Sequence, residues 1–389
     1  MKSRRLAILA LAAFVSVVTY GQLFHPLGLG IEKSERIGYF FQPQLHVEGD
    51  ILYACTGQGL YSIDMSNGDS SWQLVGFEDI PLQDYVRMGD DILALSYNEN
   101  GSCLLSSRDG GKTYEDVTPD LFREQKDGTN VLTSLVRHPT DPNTLLASSY
   151  PMGLFQSTDF GQTWKQLSEV VPVPGFIGYH PLNPETVYES LTDLVFRPYL
   201  NISYDGGQTW RFLSLDFGGD NSVNRIAFHP TDPERWIVGG SGVVATSADN
   251  GYTWDTQKVS DAIWYFAEYD NVNSDIVYMA GRLDKTLHVM CSADGGKTWS
   301  VPQTEPMKKS STENVYDLKQ YGDKLLFYTE SDIYEISKAE LLVLATSVQG
   351  ITVATPEESS DIYDLQGRRI NAKPQKGVYI QNGKKIVLP

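Results

Sequence analysis

Aromatic, acidic and basic side chains in irregular segments are the residues of this chain best suited to contact a small polar molecule. Aromatic rings beside carboxylates and guanidinium groups can stack on a sugar and form hydrogen bonds with its hydroxyls. Side chains of these types are also ordinary on solvated loops, so the pattern alone leaves both interpretations open. The candidates are Tyr150, Asp193, Arg197, Asp216, Asp220, Trp264, Arg282 and Asp284.

Three histidines recur in one local pattern, in which each precedes a proline and a second proline follows an Asp or Asn. They are His138, His180 and His229. Recurring histidines suggest metal ligands, but no carboxylate or thiol lies beside them at ligand spacing, and equivalent positions of successive repeats are separated in space. Prolines that flank Asp or Asn predict a tight turn. We therefore expect the histidines to pack in turns, and we expect no metal site.

The sequence lacks the short motifs of several enzyme classes. It contains no Gly-rich phosphate loop, no Gly-x-Ser-x-Gly segment and no His-Glu-x-x-His segment. The nucleotide-binding, esterase and zinc-protease classes therefore have no support, and we expect no cofactor. The formal net charge of −18 also disfavours nucleic acid and anionic lipid as partners.

A repeated segment with the pattern Ser-x-Asp-x-Gly-x-Thr, closed by Trp or Tyr, occurs five times without gaps. Successive copies are 50, 46, 44 and 45 residues apart, a spacing that suits one four-stranded propeller blade per repeat. The glycine permits a positive φ in a hairpin, and the aspartate can accept backbone N–H groups of the same turn. The five aspartates, which we expect to be structural, are Asp109, Asp159, Asp205, Asp249 and Asp294.

These segments resemble the Asp-box motif of sialidases, of the sortilin ectodomain, of xyloglucan-cleaving endoglucanases and of photosystem assembly propellers. The resemblance implies an all-β propeller in which the boxes stabilise turns and do no chemistry. It also implies that a ligand site lies over the central channel, at the end formed by the D-to-A and B-to-C loops of the blades. We call this end the loop-rich end, and the candidate residues above lie there.

Two degenerate copies extend the series of repeats. One ends near Asp64, 45 residues before Asp109, and the other near Ser337, 43 residues after Asp294. Seven turns at one spacing predict a seven-bladed β-propeller over residues 22–346. Six blades is the alternative if one weak copy is misread. We therefore expect an all-β protein that consists of a seven-bladed propeller and a small C-terminal β appendage.

The resemblance to the enzymes of this class is partial. Arg36-Ile37-Gly38 lacks the proline of the segment with which sialidases usually begin. When the repeats are aligned on their His-Pro turns, Arg137 and Arg225 lie at different heights along the propeller axis. These arginines therefore cannot belong to one ring around the channel. The chain has room for one propeller, whereas the xyloglucan-cleaving enzymes join two around a cleft. These differences disfavour catalysis, and the enzyme class that stays open is glycoside hydrolase.

The function expected from the sequence is binding. We expect an exported, non-catalytic propeller that binds a glycan or an extracellular protein at the loop-rich end. One alternative is a glycoside hydrolase, sialidase-like or glucanase-like, that acts on extracellular polysaccharide. A second alternative is an envelope assembly factor similar to the photosystem assembly propellers.

The two ends of the chain predict export. Residues 1–21 have basic residues followed by an apolar run, which is the order of a signal peptide and too short to span a bilayer. We expect no transmembrane segment after cleavage. A polar linker, residues 347–360, precedes residues 361–389, which resemble the C-terminal sorting domain of type IX secretion. The resemblance implies passage through the periplasm to the cell surface or medium, with that secretion machinery as a partner; the alternative is a β appendage that packs on the propeller.

The three cysteines are few for an exported protein and odd in number. Cys55, Cys103 and Cys291 each lie in an apolar stretch, which favours buried free thiols. A disulfide between Cys55 and Cys103 is the alternative.

Overall fold

The computed structural model of the chain describes residues 23–29, 42–68, 70–98, 101–123, 131–150, 152–168, 173–192, 198–214, 225–307, 314–348, 362–363, 377–381 and 384–388. The predicted signal peptide lies outside these residues. The chain forms two compact units, the first ending at Ala345 and the second beginning at Thr346, a boundary that falls within the helix at Lys338–Val348.

Strands account for nearly all the regular structure of the first unit. Its first half contains β1 (His25–Pro26), β2 (Leu45–Glu48), β3 (Ile51–Thr56), β4 (Gly59–Asp64), β5 (Gln73–Gly76), β6 (Leu82–Met88), β7 (Asp91–Asn98), β8 (Gly101–Ser107), β9 (Glu115–Asp116), a 3-10 turn (Asp120–Phe122), β10 (Val131–Arg137), β11 (Leu145–Tyr150), β12 (Gly153–Ser157) and β13 (Lys165–Ser168). Its second half contains β14 (Val173–Tyr179), β15 (Val187–Thr192), β16 (Pro198–Ser203), β17 (Arg211–Ser214), β18 (Ala227–Phe228), β19 (Trp236–Gly239), β20 (Ser241–Ser247), β21 (Asp255–Tyr269), β22 (Val277–Leu283), β23 (Thr286–Ser292), β24 (Gln303–Pro306), β25 (Val315–Tyr321), β26 (Lys324–Thr329), β27 (Ile333–Ser337) and helix α1 (Lys338–Val348).

The second unit contains one antiparallel sheet in the described residues. Its strands are β28 (Ile362–Tyr363), β29 (Gly377–Gln381) and β30 (Lys384–Leu388), in that order across the sheet.

The first unit is an all-β propeller, as the sequence predicts, but the expectation of seven blades is wrong. The described strands form five four-stranded sheets, which are β2 to β5, β6 to β9, β10 to β13, β14 to β17, and β1 with β25 to β27. Strands β18 to β24 form a single seven-stranded sheet. The joining strand is β21, which runs for 15 residues, pairs with β20 near its start and pairs with β22 near its end. The spacing of the repeats does not show that β21 joins two blades, because a loop and a continuous strand can contain the same number of residues.

The first strands of the sheets pack side by side around a central channel. Strand β10 contacts β6 and β14, and β2 contacts β25, so the first and last sheets meet. The N-terminal strand β1 pairs with β27, where His25 lies opposite Glu335 and Pro26 opposite Tyr334. One sheet therefore combines strands from both ends of the first unit, which closes the ring.

Apolar layers between neighbouring sheets form the core. Side chains alternate along each strand, so each sheet presents apolar residues to both neighbours. On β15, for example, Val187 packs with Leu146 of the preceding sheet, whereas Tyr188 packs with Trp236 of the following sheet. Because both faces of each sheet are buried, the strand sequences are apolar runs and do not simply alternate between apolar and polar residues.

The five repeated segments form turns with one shared set of hydrogen bonds, between the third and fourth strands of each repeat. In each turn, one carboxylate oxygen of the aspartate accepts the threonine backbone N–H at 2.8 Å, and the other accepts the threonine hydroxyl at 2.6 Å. The serine hydroxyl donates to the same carboxylate and accepts the N–H of the glycine two residues after the aspartate. The pKa of every one of these carboxyls is lowered, because the bonds favour the ionised form. We call these the motif turns.

Each motif turn lies against the turn between the first and second strands of the same repeat, which we call the A–B turn. Gly110 N–H donates to the Asp90 carbonyl at 3.0 Å, and Gly295 N–H donates to the Asp275 carbonyl at 2.7 Å. The chain after Asp64 and Ser337 makes the same bond, through Met65 N–H and Lys338 N–H at 2.8 Å each. Both kinds of turn therefore occupy the end of the propeller opposite the loop-rich end.

We expect Asp294→Ala to lower the free energy of unfolding by about 1 to 3 kcal/mol, because the serine and threonine donors of its turn lose their acceptor. Chemical denaturation would measure the loss. The matched control is Asp261→Ala, whose carboxylate is 80% exposed and pairs only with Lys258 on the surface. Equal stability of the two variants would contradict a structural role for the motif aspartate.

Candidate functional site

A cavity with a volume of about 1310 Å³ lies in the central channel. Its wall consists of residues from β2, β6, β10, β14 and β25 and from the segment that leads into β18. At one end it reaches the A–B turns through Asp90, Pro139 and Pro181. Farther along the strands lie Gln83 and Arg225, at what we call the inner end. The cavity thus extends toward the end of the propeller opposite the one that the sequence favours.

A buried carboxylate, Asp317 of β25, organises the inner end. Its side chain has no exposed surface, and Oδ1 accepts Arg225 Nη1 at 2.7 Å and Lys319 Nζ at 3.0 Å. Its Oδ2 accepts the backbone N–H of Leu45 on β2 at 3.0 Å. Arg225 also donates from Nη2 to Gln44 Oε1 at 2.7 Å. We call Asp317, Arg225, Lys319 and Gln44 the Asp317 cluster.

The one carboxylate of the Asp317 cluster offsets only part of the charge of its two cations. Burial alone would raise the pKa of Asp317, but the Arg225 guanidinium and the Lys319 ammonium outweigh this effect and hold the pKa below its usual value. The Arg225 guanidinium lies over the rings of Phe176 and Phe266, at 5.2 and 5.5 Å from their centroids. The aromatic faces thus stabilise a guanidinium that is largely removed from water.

Two carboxylates of the channel wall, Asp84 and Glu48, are also engaged. Asp84 Oδ1 lies 2.8 Å from His46 Nε2. Glu48 accepts the Tyr85 hydroxyl at 2.8 Å and Arg87 Nη1 at 3.3 Å. Glycoside hydrolysis requires two carboxyl groups free to face one glycosidic bond, one of them with a raised pKa. Neither Asp84 nor Glu48 is free to serve in such a pair.

Gln83 of β6 has a buried side-chain amide whose oxygen makes no hydrogen bond within the described residues. Its Nε2 donates to the Thr133 carbonyl of β10, which can only accept, so Oε1 must point the other way. The side chain is only 3% exposed, and Oε1 makes no hydrogen bond within the described part of the chain. The inner end therefore holds a buried acceptor without a donor.

A second unusual carboxyl, Glu189 of β15, lies inside the propeller wall and outside the channel. Glu189 has no exposed surface, and neither carboxylate oxygen has a hydrogen-bond partner of good geometry among the described residues. Burial raises the pKa to about 8, and the amide of Asn201, directly opposite on β16, offsets only part of this effect. Glu189 is therefore mostly protonated at neutral pH. Its position in an apolar strand run is the one sequence signal that could have identified it.

Four of the eight candidate residues lie in the described part of the chain. Tyr150 ends β11 and is half-buried, and Asp284 is exposed in the turn between β22 and β23 with a φ of 50°. Arg282 donates from Nε to the Tyr265 hydroxyl at 2.8 Å. Trp264 is fully buried and donates from Nε1 to Ser260 Oγ at 3.2 Å, so its indole has no exposed face.

Strand pairing brings two of these candidates close, because Trp264 lies opposite Gly281, the neighbour of Arg282. None of the four lines the channel. The others, Asp193, Arg197, Asp216 and Asp220, lie outside the described residues. A ligand-binding role for the candidates at the loop-rich end stays a prediction.

The three recurring histidines stabilise A–B turns. His180 Nδ1 accepts the backbone N–H groups of Leu182 and Asn183 at 3.1 Å each, and Nδ1 of His138 and His229 accepts equivalent groups. Nδ1 is therefore unprotonated, and burial lowers the pKa of His180 and His229. The described residues contain no group of three or more His, Cys, Asp or Glu side chains that could hold a metal ion.

The cysteines are free thiols in the structure, and no disulfide joins Cys55 to Cys103. Burial raises the pKa of all three. Among the helices of the described residues, none has the length and apolar character needed to cross a membrane.

Comparison with known proteins relates the chain to two groups of propellers, although no protein-family model matches it. The probable oligoxyloglucan-reducing end-specific xyloglucanase of Neosartorya fischeri is 26% identical in an alignment of 220 residues that covers 49% of this chain and 26% of that protein. The GH74 xyloglucanase of Xanthomonas campestris superposes with a TM-score of 0.57 at 16% identity, over 80% of this chain and 53% of the other. YCF48 bound to D1 peptide superposes with a TM-score of 0.54 at 14% identity, over 82% of this chain and 96% of the other.

These similarities show a shared propeller fold. The chain spans about a quarter of the length of the curated relative and about half of the superposed xyloglucanase, whereas it matches almost all of YCF48. The activities and partners of those proteins therefore do not transfer directly to this chain.

The buried carboxyl of Glu189 predicts a pH-dependent loss of stability. Because its pKa is raised from 4.5 to about 8, the folded state binds a proton that the unfolded state releases above pH 4.5. Stability should fall by about 1.4 kcal/mol per pH unit across that window and level off above pH 8. Glu189→Gln should remove this component of the decline in the melting temperature, whereas Glu185→Gln, at an exposed site before β15, should keep it. A decline unchanged in Glu189→Gln would show that another group causes it.

Proposed function

We propose that the protein is an exported, non-catalytic propeller of the Asp-box class, and that it binds a glycan or a protein segment in its central channel. The observation that carries the proposal is the engagement of three carboxylates in or behind the channel wall. Glu48, Asp84 and Asp317 each hold neighbouring side chains or strands in place, and none is free to serve as an acid or a nucleophile. The cavity of about 1310 Å³ remains as a space for binding.

A single propeller is sufficient for binding in at least one structural relative. YCF48, of which this chain covers 96%, was solved with D1 peptide bound. The xyloglucanase structure is about twice as long as the matched region. These lengths favour a binding protein over an enzyme that needs a second propeller, and an envelope assembly factor is one form that such a binding protein could take.

A glycoside hydrolase is the second candidate function. The sequence similarity to a probable xyloglucanase over 220 residues favours it. Its site would lie at the loop-rich end and would use the candidate carboxylates there. The same end is also the alternative place for a non-catalytic ligand.

Export is part of the proposal. The basic and apolar order of residues 1–21 supports a signal peptide. The described strands β28 to β30 form a small antiparallel sheet within the tail that resembles a type IX sorting domain. We propose that the tail directs the chain across the outer membrane to the cell surface or medium.

Filling the channel tests the proposed function. Ser134 lines the channel on β10, and Ser134→Trp should weaken binding to any ligand found on printed glycan and peptide arrays by at least about tenfold, because the indole occupies the binding space. Val301→Trp adds the same bulk at a site that is 57% exposed and outside the channel wall, and it should bind normally. Titration calorimetry would give the affinities. Unchanged binding by Ser134→Trp would place the site elsewhere, and release of reducing sugar from a bound glycan would favour the hydrolase.

A further inference from the structure

The two cations of the Asp317 cluster lie at the surface of the channel, and the carboxylate that they share lies behind them. Arg225 and Lys319 both line the cavity, and each keeps 24% of its side chain exposed. Asp317 has no exposed surface and is not among the wall residues. A molecule at the inner end would therefore meet a guanidinium and an ammonium before it met the carboxylate.

Lys319 has hydrogen-bonding capacity that its neighbours leave unused. Its ammonium has three N–H donors, and Asp317 Oδ1 accepts one of them at 3.0 Å. No other acceptor in the described part of the chain bonds to Nζ. Lys319 lies on β25, which is the edge strand of its sheet on the channel side, so the exposed part of the side chain faces the channel. Two N–H donors are therefore left for an acceptor in the channel.

The acidic groups near these cations have partners of their own. Asp84 of the wall lies 2.8 Å from His46 Nε2 and accepts the Tyr85 backbone N–H at 2.8 Å. Glu268 accepts Gln320 Nε2 at 3.0 Å, and it is not among the wall residues. Burial raises the pKa of Glu268, so this carboxyl offsets less positive charge than a solvated carboxylate would. Two cations and one carboxylate therefore face the channel at the inner end.

The channel wall lacks the acidic excess of the chain. The whole chain has 31 Lys and Arg against 49 Asp and Glu, whereas the wall has three acidic residues and four basic ones, which are Arg87, Arg137, Arg225 and Lys319. Arg137 is exposed next to the A–B turns and donates to the Arg87 carbonyl at 2.6 Å, and it forms no ion pair within the described residues. An anion would therefore meet less repulsion in the channel than on the outer surface.

We propose that the channel binds an acidic glycan built from uronic acid residues, with the carboxylate of one residue accepting from Lys319 Nζ at the inner end. A carboxylate bonds more strongly to an ammonium than a neutral oxygen does, because both partners are charged. Phe176 and Phe228 of the wall are partly exposed and provide apolar surface for sugar rings. The inference rests on the proposed function, in which the channel is the binding site, and it names the ligand class.

The size of the cavity and the positions of its cations favour a chain of such residues. The volume of about 1310 Å³ exceeds the range of about 300 to 1,000 Å³ that is usual for small-molecule sites. Arg137 ends β10 next to the A–B turns, so a chain with one carboxylate per residue can reach both Arg137 and Lys319. Sugar rings restrict the chain that they form, so a glycan loses less conformational freedom on binding than an acidic peptide does.

The test uses the full-length protein and titration calorimetry with three probes. They are an oligogalacturonate, the same oligosaccharide with its carboxylates methyl-esterified, and an oligoglutamate with the same number of charges. We expect the wild-type protein to bind the oligogalacturonate at least about tenfold more tightly than the methyl ester, because esterification removes the charge and keeps the sugar chain. We also expect tighter binding of the oligogalacturonate than of the oligoglutamate.

Lys319→Met keeps an unbranched side chain of similar length and removes the ammonium. It should weaken binding of the oligogalacturonate at least about tenfold and leave binding of the methyl ester unchanged. Asp317 keeps Arg225 as its partner in this variant, so we expect it to fold. The matched control is Lys258→Met, because Lys258 also pairs with an aspartate, Asp261 at 3.3 Å, but is 75% exposed and outside the channel wall. This variant should bind like the wild type.

The outcomes separate this inference from the proposed function. Equal affinity for the oligogalacturonate and its ester, or normal binding of the oligogalacturonate by a folded Lys319→Met variant, would overturn the acidic ligand class. If Lys319→Met does not fold, the comparison of the two sugars decides, since it needs no variant. Tighter binding of the oligoglutamate, lost in Ser134→Trp, would overturn the glycan class and leave a channel-binding protein. Binding of any probe that Ser134→Trp does not affect would overturn the proposed channel site and this inference with it.

Discussion

The carboxylate of Asp317 lies where the first and last sheets of the propeller meet. It accepts a backbone N–H from β2, a guanidinium from the segment before β18 and an ammonium from its own strand. A fully buried carboxylate is tolerated only when its oxygens are hydrogen-bonded and its charge is balanced. The sheets that supply these partners must therefore be in place together, which couples closure of the ring to a single ionised group. Pairing of β1 with β27 adds a second closure at the outer edge of the last sheet.

The same interaction sets the chemistry of the channel. Arg225 and Lys319 would otherwise make the inner end strongly cationic, but Asp317 neutralises much of their charge. Asp84 and Glu48 of the wall are also engaged. The groups that stabilise the ring therefore also determine which side chains the channel presents to a ligand.

The sequence predicts the local structure well and the long-range structure less well. The motif turns and the His-Pro turns are determined by residues within a few positions of one another, and their hydrogen bonds follow from residue type. The number of separate sheets depends on whether a connection is a loop or a straight strand, as in β21, and spacing does not contain that information. The sequence did not indicate the proposed channel site, because the residues there belong to no motif. Gln83, Arg225 and Asp317 come from three distant parts of the chain and meet only when the ring closes, whereas the candidates at the loop-rich end were selected by residue type alone.

A double-mutant cycle between Arg225 and Asp317 tests most directly whether this contact closes the ring. The free energy of unfolding would be measured by chemical denaturation for the wild type, Arg225→Met, Asp317→Asn and the double variant. The account predicts that the two changes are coupled by about 1 to 3 kcal/mol, because either change alone removes the shortest ion pair of the other group. Effects that add to within about 0.5 kcal/mol would contradict it, since additivity would mean that the two side chains stabilise the propeller independently.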